Sequence, residues 1–294
     1  MTSTKYFESP IHLVSIPWYP ISSKGQDFNS RFKYLGFDWD LSTQTVSLPA
    51  KKQQHIITKL TLFLDIAFKT VSQRDCASLH SSLQHIAFVC HEGCSALPAL
   101  ASFLSKFPHV HVCHHISPMI ICNVCWWIWY LTSGPKIRSL LPHTQINPWI
   151  FVDASTSWGI RLHASGKWVV WELNRGWNAA GRDISWAESI TLEITALWLI
   201  QANYKDLDIL IHSDNTGVIG AFNHSRARNF THNNSIAHIT SLLLSCNLII
   251  SPIFVPSSLN KAGGLSRGIR SPLNLRLTCI LDLPFELCPW LMHI

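Results

Sequence analysis

The sequence predicts a mixed α/β fold for its carboxyl-terminal half, and two observations support this prediction. Three short strand patterns follow one another, separated by the turn-forming letters TSWG and ASG, at 149–153, 157–164 and 167–173. Helical and strand patterns then alternate: a long helix at 185–203, a strand at 208–213, helices at 215–223 and 231–245, and a strand at 247–255. Consecutive strands followed by alternating helices and strands are typical of a mixed sheet with helices packed against it.

The amino-terminal half has a different pattern, which predicts a hairpin followed by helices. The stretch YLGFDWDLSTQTVSLP at 34–49 contains an apolar segment, a polar turn and a second, alternating segment. Between Lys51 and Phe68 apolar residues recur every four positions, which predicts an amphipathic helix. Further helical patterns follow at about 75–91, 95–106 and 117–132.

These patterns divide the chain into five segments. Two stretches contain prolines and a glycine and show no stable hydrophobic period. They indicate an irregular segment at the amino terminus and a linker between the two halves. We therefore predict an irregular segment at 1–30, a hairpin with helices at 31–132, a linker at 133–146, an α/β domain at 147–270 and a tail at 271–294.

Composition narrows the classes of protein to which this chain can belong. Hydrophobic residues make up 47% of the 294 residues, which supports a packed core and argues against wholesale disorder. The net charge of +6 permits a polyanionic partner without requiring one. The nine cysteines are odd in number and lack a framework spacing, and the first residues lack a signal-peptide pattern. We therefore expect an intracellular protein, cytoplasmic or nuclear.

The most apolar stretch, ISPMIICNVCWWIWYLT at 116–132, raises the question of a membrane helix. Its length is at the lower limit for a membrane span, and Pro118 and Asn123 interrupt it. Paired tryptophans suit a buried helix equally well. We therefore expect a helix of the protein core and no membrane partner.

Carboxylates in apolar surroundings are the candidate functional residues. Asp153 ends the apolar strand pattern IFVDAS at 150–155, and Asp214 follows the strand pattern that ends near 213. Glu193 lies in the middle of the apolar stripe of the helix at 185–203, whereas Glu188 is assigned a capping box at the start of that helix. A buried unpaired charge normally becomes neutral, finds a partner or binds a metal.

Three such carboxylates that converge would repel one another, and a divalent cation would resolve the conflict. Hard oxygen ligands of this kind suit magnesium or manganese. Each residue alone has a simpler interpretation. Asp214 could form a turn or cap a helix, Asp153 could cap the following turn, and Glu193 could extend from the edge of the stripe.

Four stretches of the sequence resemble a known family. FVDASTSWG, WAESITLEITALW, IHSDNTGVIGAF and VPSSLNKAGGLSRG together cover about 147–268. They resemble the ribonuclease H-like domains of reverse transcriptase–ribonuclease H polyproteins from DIRS-like retroelements. The stretch at 31–106 resembles the thumb/connection segment that precedes this domain. The resemblance implies a ribonuclease H-like mixed five-stranded sheet flanked by helices, preceded by a mostly helical thumb/connection-like segment.

The resemblance also implies an activity: two Mg²⁺ ions, or Mn²⁺, hydrolyse the RNA strand of an RNA–DNA hybrid. Asp153 would bridge both ions, and Glu193 and Asp214 would hold one. A fourth carboxylate belongs to the family pattern N-x-A-D-x-L-S-R, but in this chain Gly263 occupies the place of that aspartate. We therefore expect a weakened second metal site, and either a weakened nuclease or an inactive remnant that binds nucleic acid without turnover. Because the chain contains no Asp-Asp pair, we expect no polymerase active site.

Polar, loop-like stretches supply candidate contacts to nucleic acid. Arginines in these loops suit phosphate groups, and two asparagines within the resembling stretches are added to the set. The predicted contacts are Arg175, Arg182, Arg226, Arg228, Asn215 and Asn260. Trp177 and Trp186 could stack on a base, or they could pack beneath the loop while the arginines remain solvated.

Overall fold

The computed structural model describes residues 29–67, 70–109, 111–227, 229–266, 272–277 and 281–293. The irregular segment predicted at 1–30 therefore lies outside the described residues, apart from Asn29 and Ser30.

The amino-terminal part begins with a small antiparallel sheet. Its strands are β1 (Arg31–Tyr34), β2 (Phe37–Asp40) and β3 (Thr45–Ser47), which follow one another as a meander. A further strand from the predicted linker, Ile137–Ser139, pairs with β3 and is called β6 below. The middle of the predicted linker at 133–146 is thus an edge strand of this sheet.

Helices complete this part and enclose its core. They are α1 (Ala50–Ala67), α2 (Gln73–Ile86), a 3₁₀ helix (His91–Ala96), α3 (Pro98–Leu104) and α4 (Pro118–Ser133), with the short antiparallel pair β4 (Val71–Ser72) and β5 (Cys113–His114) between them. In α1, Ile56, Leu60 and Phe63 are buried at a helical spacing and join the core that α2 and α4 also line. No helix among the described residues has the length and apolar character needed to cross a membrane.

The carboxyl-terminal part is built on a mixed sheet, as the sequence predicts. Its strands are β7 (Thr144–Ser155), β8 (Gly159–Ala164), β9 (Lys167–Leu173), β10 (Leu207–Ser213), β11 (Ile249–Phe254) and β12 (Leu291–His293), in the order β11-β10-β7-β8-β9-β12. The pairs β7–β10 and β10–β11 are parallel, and the remaining pairs are antiparallel. The flanking helices are α5 (Ile184–Gln201), α6 (Thr216–Asn223), α7 (Phe230–Leu244) and the short α8 (Gly263–Ser266).

The sheet has one strand more than the five expected. Residues of the predicted tail form β12, which pairs with β9 so that Leu291 lies opposite Leu173. Leu287 and Leu291 are buried in the same core as the central strands. This part of the tail therefore belongs to the α/β core.

The two faces of the sheet differ, and the difference positions the functional side chains. Ile150, Val152 and Ala154 of β7 join the large core that α5 also lines. The alternate residue Phe151 instead packs with Val255 and Ala262, close to α8. Because side chains alternate along a strand, Asp153 shares the face of Phe151.

Helix α5 is buried on more than one side. Ile190, Leu192, Ile194 and Ala196 are all buried, although they point in different directions around the helix. The sheet covers one side of α5 and α7 covers another. An apolar stripe on this helix therefore does not mark the side that faces the sheet.

Candidate metal centre

Three carboxylates meet at one edge of the mixed sheet. Asp153 comes from β7, Asp214 directly follows β10, and Glu188 comes from the first half of α5. One oxygen from each lies within 4.8 Å of the others, and Asp153 and Glu188 are buried. Within the part of the chain that the structure describes, this is the one group of three or more metal-ligand side chains so arranged, and it could hold a metal ion.

Strand topology brings the two aspartates together. Strands β7 and β10 are parallel, and His212 lies opposite Phe151 in their register. Two residues further along each strand, Asp214 and Asp153 emerge at the same edge of the sheet. The carboxyl ends of parallel strands are the usual place for a binding crevice in such folds.

Glu188 has a different position from the one predicted for it. Asp183, not Ser185, caps α5, since the Asp183 side chain accepts a hydrogen bond from the Trp186 N–H at 3.0 Å. Glu188 is therefore not part of a capping box. Its Oε1 instead accepts a hydrogen bond from the Ala154 N–H at 3.2 Å. Its Oε2 is buried and has no hydrogen-bond partner among the described residues.

The surroundings of Glu188 favour its neutral form. Burial first, and then the negative charges of Asp153 and Asp214, raise the pKa of Glu188 to about 9, although the hydrogen bond from the Ala154 N–H lowers it. At neutral pH the side chain therefore carries a proton when no cation is near. A cation among the three carboxylates would instead favour the ionised form of Glu188.

Glu193 does not join the group, which corrects the prediction that it is a metal ligand and catalytic residue. It is fully buried, and its Oε1 lies 3.3 Å from Nδ1 of His238 on α7. Five residues separate Glu188 from Glu193, and at 3.6 residues per turn this places them about 140° apart around the helix. Glu193 therefore faces α7 when Glu188 faces the strand ends.

An open cleft of about 380 Å³ adjoins the carboxylates. Both aspartates contribute to its wall together with small, mostly polar neighbours. Its lining residues are Asp153, Ala154, Ser155, Thr156, Ile184, Asp214, Ser257 and Gly263. Gly263 thus lies beside the aspartates and supplies no oxygen ligand from a side chain.

The two asparagines predicted to contact nucleic acid both make hydrogen bonds within the protein. The Asn260 amide is buried and donates to the Val152 carbonyl at 2.9 Å and to Oδ1 of Asp214 at 3.1 Å. Asn260 therefore orients a carboxylate of the site. Asn215 caps α6, since its side chain accepts a hydrogen bond from the Val218 N–H at 3.0 Å.

The predicted arginines fall into different environments. Arg175 and Arg226 are exposed, as a phosphate contact requires, whereas Arg228 lies outside the described residues. Arg182 donates to the Trp177 carbonyl, and its guanidinium lies 3.9 Å from the ring centre of Trp290. This arginine is therefore held within the protein by stacking.

The tryptophans near Arg182 pack beneath the loop. Trp177 and Trp186 are both buried, and their rings stack with centres 5.9 Å apart. Of the two interpretations of these residues, the structure favours packing over stacking on a base.

Arg161 is a buried charged residue beside the site that the sequence analysis did not single out. It lies opposite Asp153 in the register of β7 and β8 and is 3% exposed. Burial lowers the pKa of Arg161 to about 10, against the opposing charges of Glu172 and Asp153, so it remains charged at neutral pH. An arginine between the apolar Ile160 and Leu162 of the strand GIRLHA is the signal that could have identified it.

Comparison with known proteins adds no assignment to this geometry. No protein-family model, curated protein or solved structure matches the chain. The chemistry open to these carboxylates therefore follows from their own positions and charges.

Proposed function

We propose that this protein is a metal-dependent nuclease of the ribonuclease H type, which hydrolyses the RNA strand of RNA–DNA hybrids with weak turnover. The observation that carries the proposal is the meeting of Asp153, Glu188 and Asp214 within 4.8 Å at the strand-end edge of a mixed sheet. The resemblance of the stretches within 147–268 to retroelement ribonuclease H-like domains supplies the substrate class.

The residues present fit one divalent cation. Their donor atoms are carboxylate oxygens, which Mg²⁺ and Mn²⁺ prefer. Oε2 of Glu188 is a buried acceptor without a hydrogen-bond partner among the described residues, and it belongs to the side chain that the aspartates surround. Buried carboxylates at such distances repel one another unless protons or a cation neutralise them. Mg²⁺ or Mn²⁺ is therefore the cofactor we propose.

The chain's own residues would hold and orient that cofactor. When bound, the ion would polarise a phosphate oxygen and neutralise the charge that develops there during hydrolysis. Asp153, Glu188 and Asp214 would be its ligands. The Ala154 N–H fixes Glu188, and the Asn260 amide fixes Asp214, so that the ligands are held in place in advance.

The cleft and the loops suit a phosphate backbone. Hydroxyl groups of Ser155, Thr156 and Ser257 belong to residues that line the cleft and could donate hydrogen bonds to phosphate oxygens. The exposed Arg175 and Arg226 would add sequence-independent affinity. Binding should therefore weaken steeply as the salt concentration rises.

Gly263 is the reason to propose weak turnover. It lines the cleft, and the resemblance implies a fourth carboxylate at this place in the sequence. Loss of one contact to the transition state commonly costs about 10²–10³ in rate. The same observation favours a second candidate function, namely binding of nucleic acid without turnover. In either case we propose no polymerase activity for this chain.

Cleavage of a labelled RNA–DNA hybrid by the full chain tests the proposal. We expect slow, Mg²⁺- or Mn²⁺-dependent cleavage of the RNA strand, which Asp153→Asn abolishes while hybrid binding persists. A matched DNA duplex and single-stranded RNA serve as control substrates and should remain intact. Salt-sensitive binding without cleavage would support the second candidate. A chain that neither binds nor cleaves the hybrid would contradict both.

A further inference from the structure

We infer that the cluster of three carboxylates binds a single divalent ion rather than two, because the permanent positive charge of Arg161 takes the place of the second ion. The inference rests on the proposed metal-dependent function and concerns the number of ions bound. A pair of ions is what the sequence resemblance implies, so the two expectations differ in a measurable way.

The backbone places Arg161 directly beside Asp153. The two residues are partners in the antiparallel register of β7 and β8, so their side chains project from the same face of the sheet. The Cβ atoms of such partners lie about 4.5–5.5 Å apart. Asp153 is 8% exposed and Arg161 is 3% exposed, so water screens their charges little.

The guanidinium is held in place by backbone carbonyls. Nη1 of Arg161 donates to the Ile160 carbonyl at 2.9 Å and lies 3.4 Å from the Trp171 carbonyl, and Nη2 donates to the Trp158 carbonyl. Because these acceptors belong to the turn and strands on either side, the guanidinium cannot leave without breaking several hydrogen bonds. Its charge is therefore a constant part of this face of the sheet.

The position of the missing carboxylate lies on the same side. Helix α8 packs against β7 and β8, and it begins at Gly263, which lines the cleft beside Asp153 and Asp214. A second ion would thus lack an oxygen ligand from residue 263 and would approach the buried guanidinium of Arg161. Both conditions weaken cation binding.

The charges of four described residues balance with one ion. Asp153, Glu188 and Asp214 carry three negative charges when ionised, and Arg161 and one divalent ion together carry three positive charges. Counted over these four described residues, a second divalent ion would leave two positive charges uncompensated beside the buried side chains of Asp153 and Arg161, which is costly. The charge of Glu172 acts on Arg161 more strongly than that of Asp153 does, but Glu172 is partly exposed and lies outside the cluster of three carboxylates.

The number of Mn²⁺ ions bound to the full chain tests the inference without a measurement of activity. Titration calorimetry, together with the electron paramagnetic resonance signal of free Mn²⁺, gives the stoichiometry and the dissociation constant. We expect one ion per chain in the wild type and one in Gly263→Asp, since Arg161 still excludes the second. The double variant Arg161→Gln with Gly263→Asp should bind two.

Single variants at the two cationic positions provide the controls. Arg161→Gln should bind its one ion about tenfold more tightly, because removal of a neighbouring positive charge favours a cation. Arg161→Lys keeps the charge and should bind one ion with an affinity closer to that of the wild type. Lys261→Gln removes an exposed cation that lies over Phe151 on the same face of the sheet, and should leave the stoichiometry at one.

Two ions bound to the wild type, or to Gly263→Asp alone, would overturn the inference and leave the proposed function intact. The Gly263→Asp result does not depend on whether Arg161→Gln folds. Arg161→Gln that folds, as judged by circular dichroism, but binds Mn²⁺ no more tightly would also count against the inference. Absence of Mn²⁺ binding in every variant would contradict the metal site itself, and the proposed function with it.

Discussion

Glu188 and Glu193 lie on the same helix, and both are buried. Each has one carboxylate oxygen without a hydrogen-bond partner among the described residues. The residues that surround the two glutamates nevertheless differ in the sign of the charge that they can carry. Glu188 faces two aspartates at the sheet edge, whereas Glu193 faces His238 across the contact with α7.

The difference shows that burial alone does not identify a metal ligand. A buried glutamate opposite a histidine has an internal partner that can carry a positive charge. A buried glutamate opposite two carboxylates has none, and either a proton or a cation from solvent must neutralise it. The chemical character of the residues opposite each glutamate, more than its place in an apolar pattern, therefore determines its role.

The largest expected effect concerns folding stability at alkaline pH. The pKa of Glu188 in the folded chain is about 9, against 4.5 for an ordinary glutamate. The folded state therefore binds the proton more tightly, and its stability falls as pH rises from about 4.5 to 9. At pH 8, with a chelator present, Glu188→Gln should raise the free energy of unfolding by several kcal/mol, on the order of 5 at most.

Urea denaturation at pH 5 and pH 8 measures this effect. The gain from Glu188→Gln should be small at pH 5 and large at pH 8. Glu193→Gln is the matched control and should show no comparable gain at pH 8. An equal gain in both variants would remove the distinction between the two glutamates.

The next effect concerns cation binding. Glu188→Gln should weaken Mn²⁺ binding by about 10²–10³, as expected for loss of an anionic ligand. Glu193→Gln should change the dissociation constant by less than about threefold, because its carboxylate faces α7. Calorimetric titration of both variants makes the comparison directly. If only Glu193→Gln bound Mn²⁺ more weakly, Glu193 would be the metal ligand, as the sequence pattern predicts.

A smaller effect is expected at the asparagine that orients Asp214. Asn260→Ala removes the hydrogen bonds to Asp214 and to the Val152 carbonyl. Loss of a residue that orients a ligand typically costs 10–100-fold in metal affinity, so we expect a loss of about that size. Asn215→Ala, which removes only the cap of α6, serves as the control and should leave affinity nearly unchanged. Similar losses in the two variants would indicate general destabilisation.

The smallest effect concerns His238. Its pKa is raised by the hydrogen bond that the His238 ring donates to Glu193 and by the negative charges of Glu193 and Glu286, against the effect of burial. The stability from this pair is thus fully present below pH 6.5 and is lost as pH rises through the raised pKa. In Glu193→Gln, the NMR titration of the His238 ring should shift to lower pH. An unchanged titration would mean that the pair does not form in solution.

The mixed sheet could be predicted from the sequence because hydrophobic residues recur with one period in its strands and with another in the helices that flank it. The same reasoning predicts the positions of Asp153 and Asp214, since each aspartate lies near the carboxyl end of a strand pattern and parallel strands end on the same side of a sheet. Strand β12 was missed because its three residues are too few to show a period. Pairing with β9, which is distant in sequence, defines it.

The glutamate was misassigned because periodicity assumes that a helix buries one face. Helix α5 buries residues on several sides, so both Glu188 and Glu193 satisfy a pattern of burial. The Ser185–Glu188 spacing also suggested a cap, but Asp183 forms the cap two residues earlier. Which glutamate faces the strand ends depends on the rotation of the helix about its axis, and tertiary packing determines that rotation.

Strand β12 has a practical consequence for anyone who shortens this chain. A fragment cut at residue 270, the boundary that sequence patterns indicate, would lose the partner of β9 and leave its backbone amides and carbonyls without hydrogen bonds along that edge. Such an open edge recruits strands from other molecules and leads to aggregation. Expression of the α/β part should therefore extend through His293, and affinity tags there need a spacer long enough to leave the last strand undisturbed.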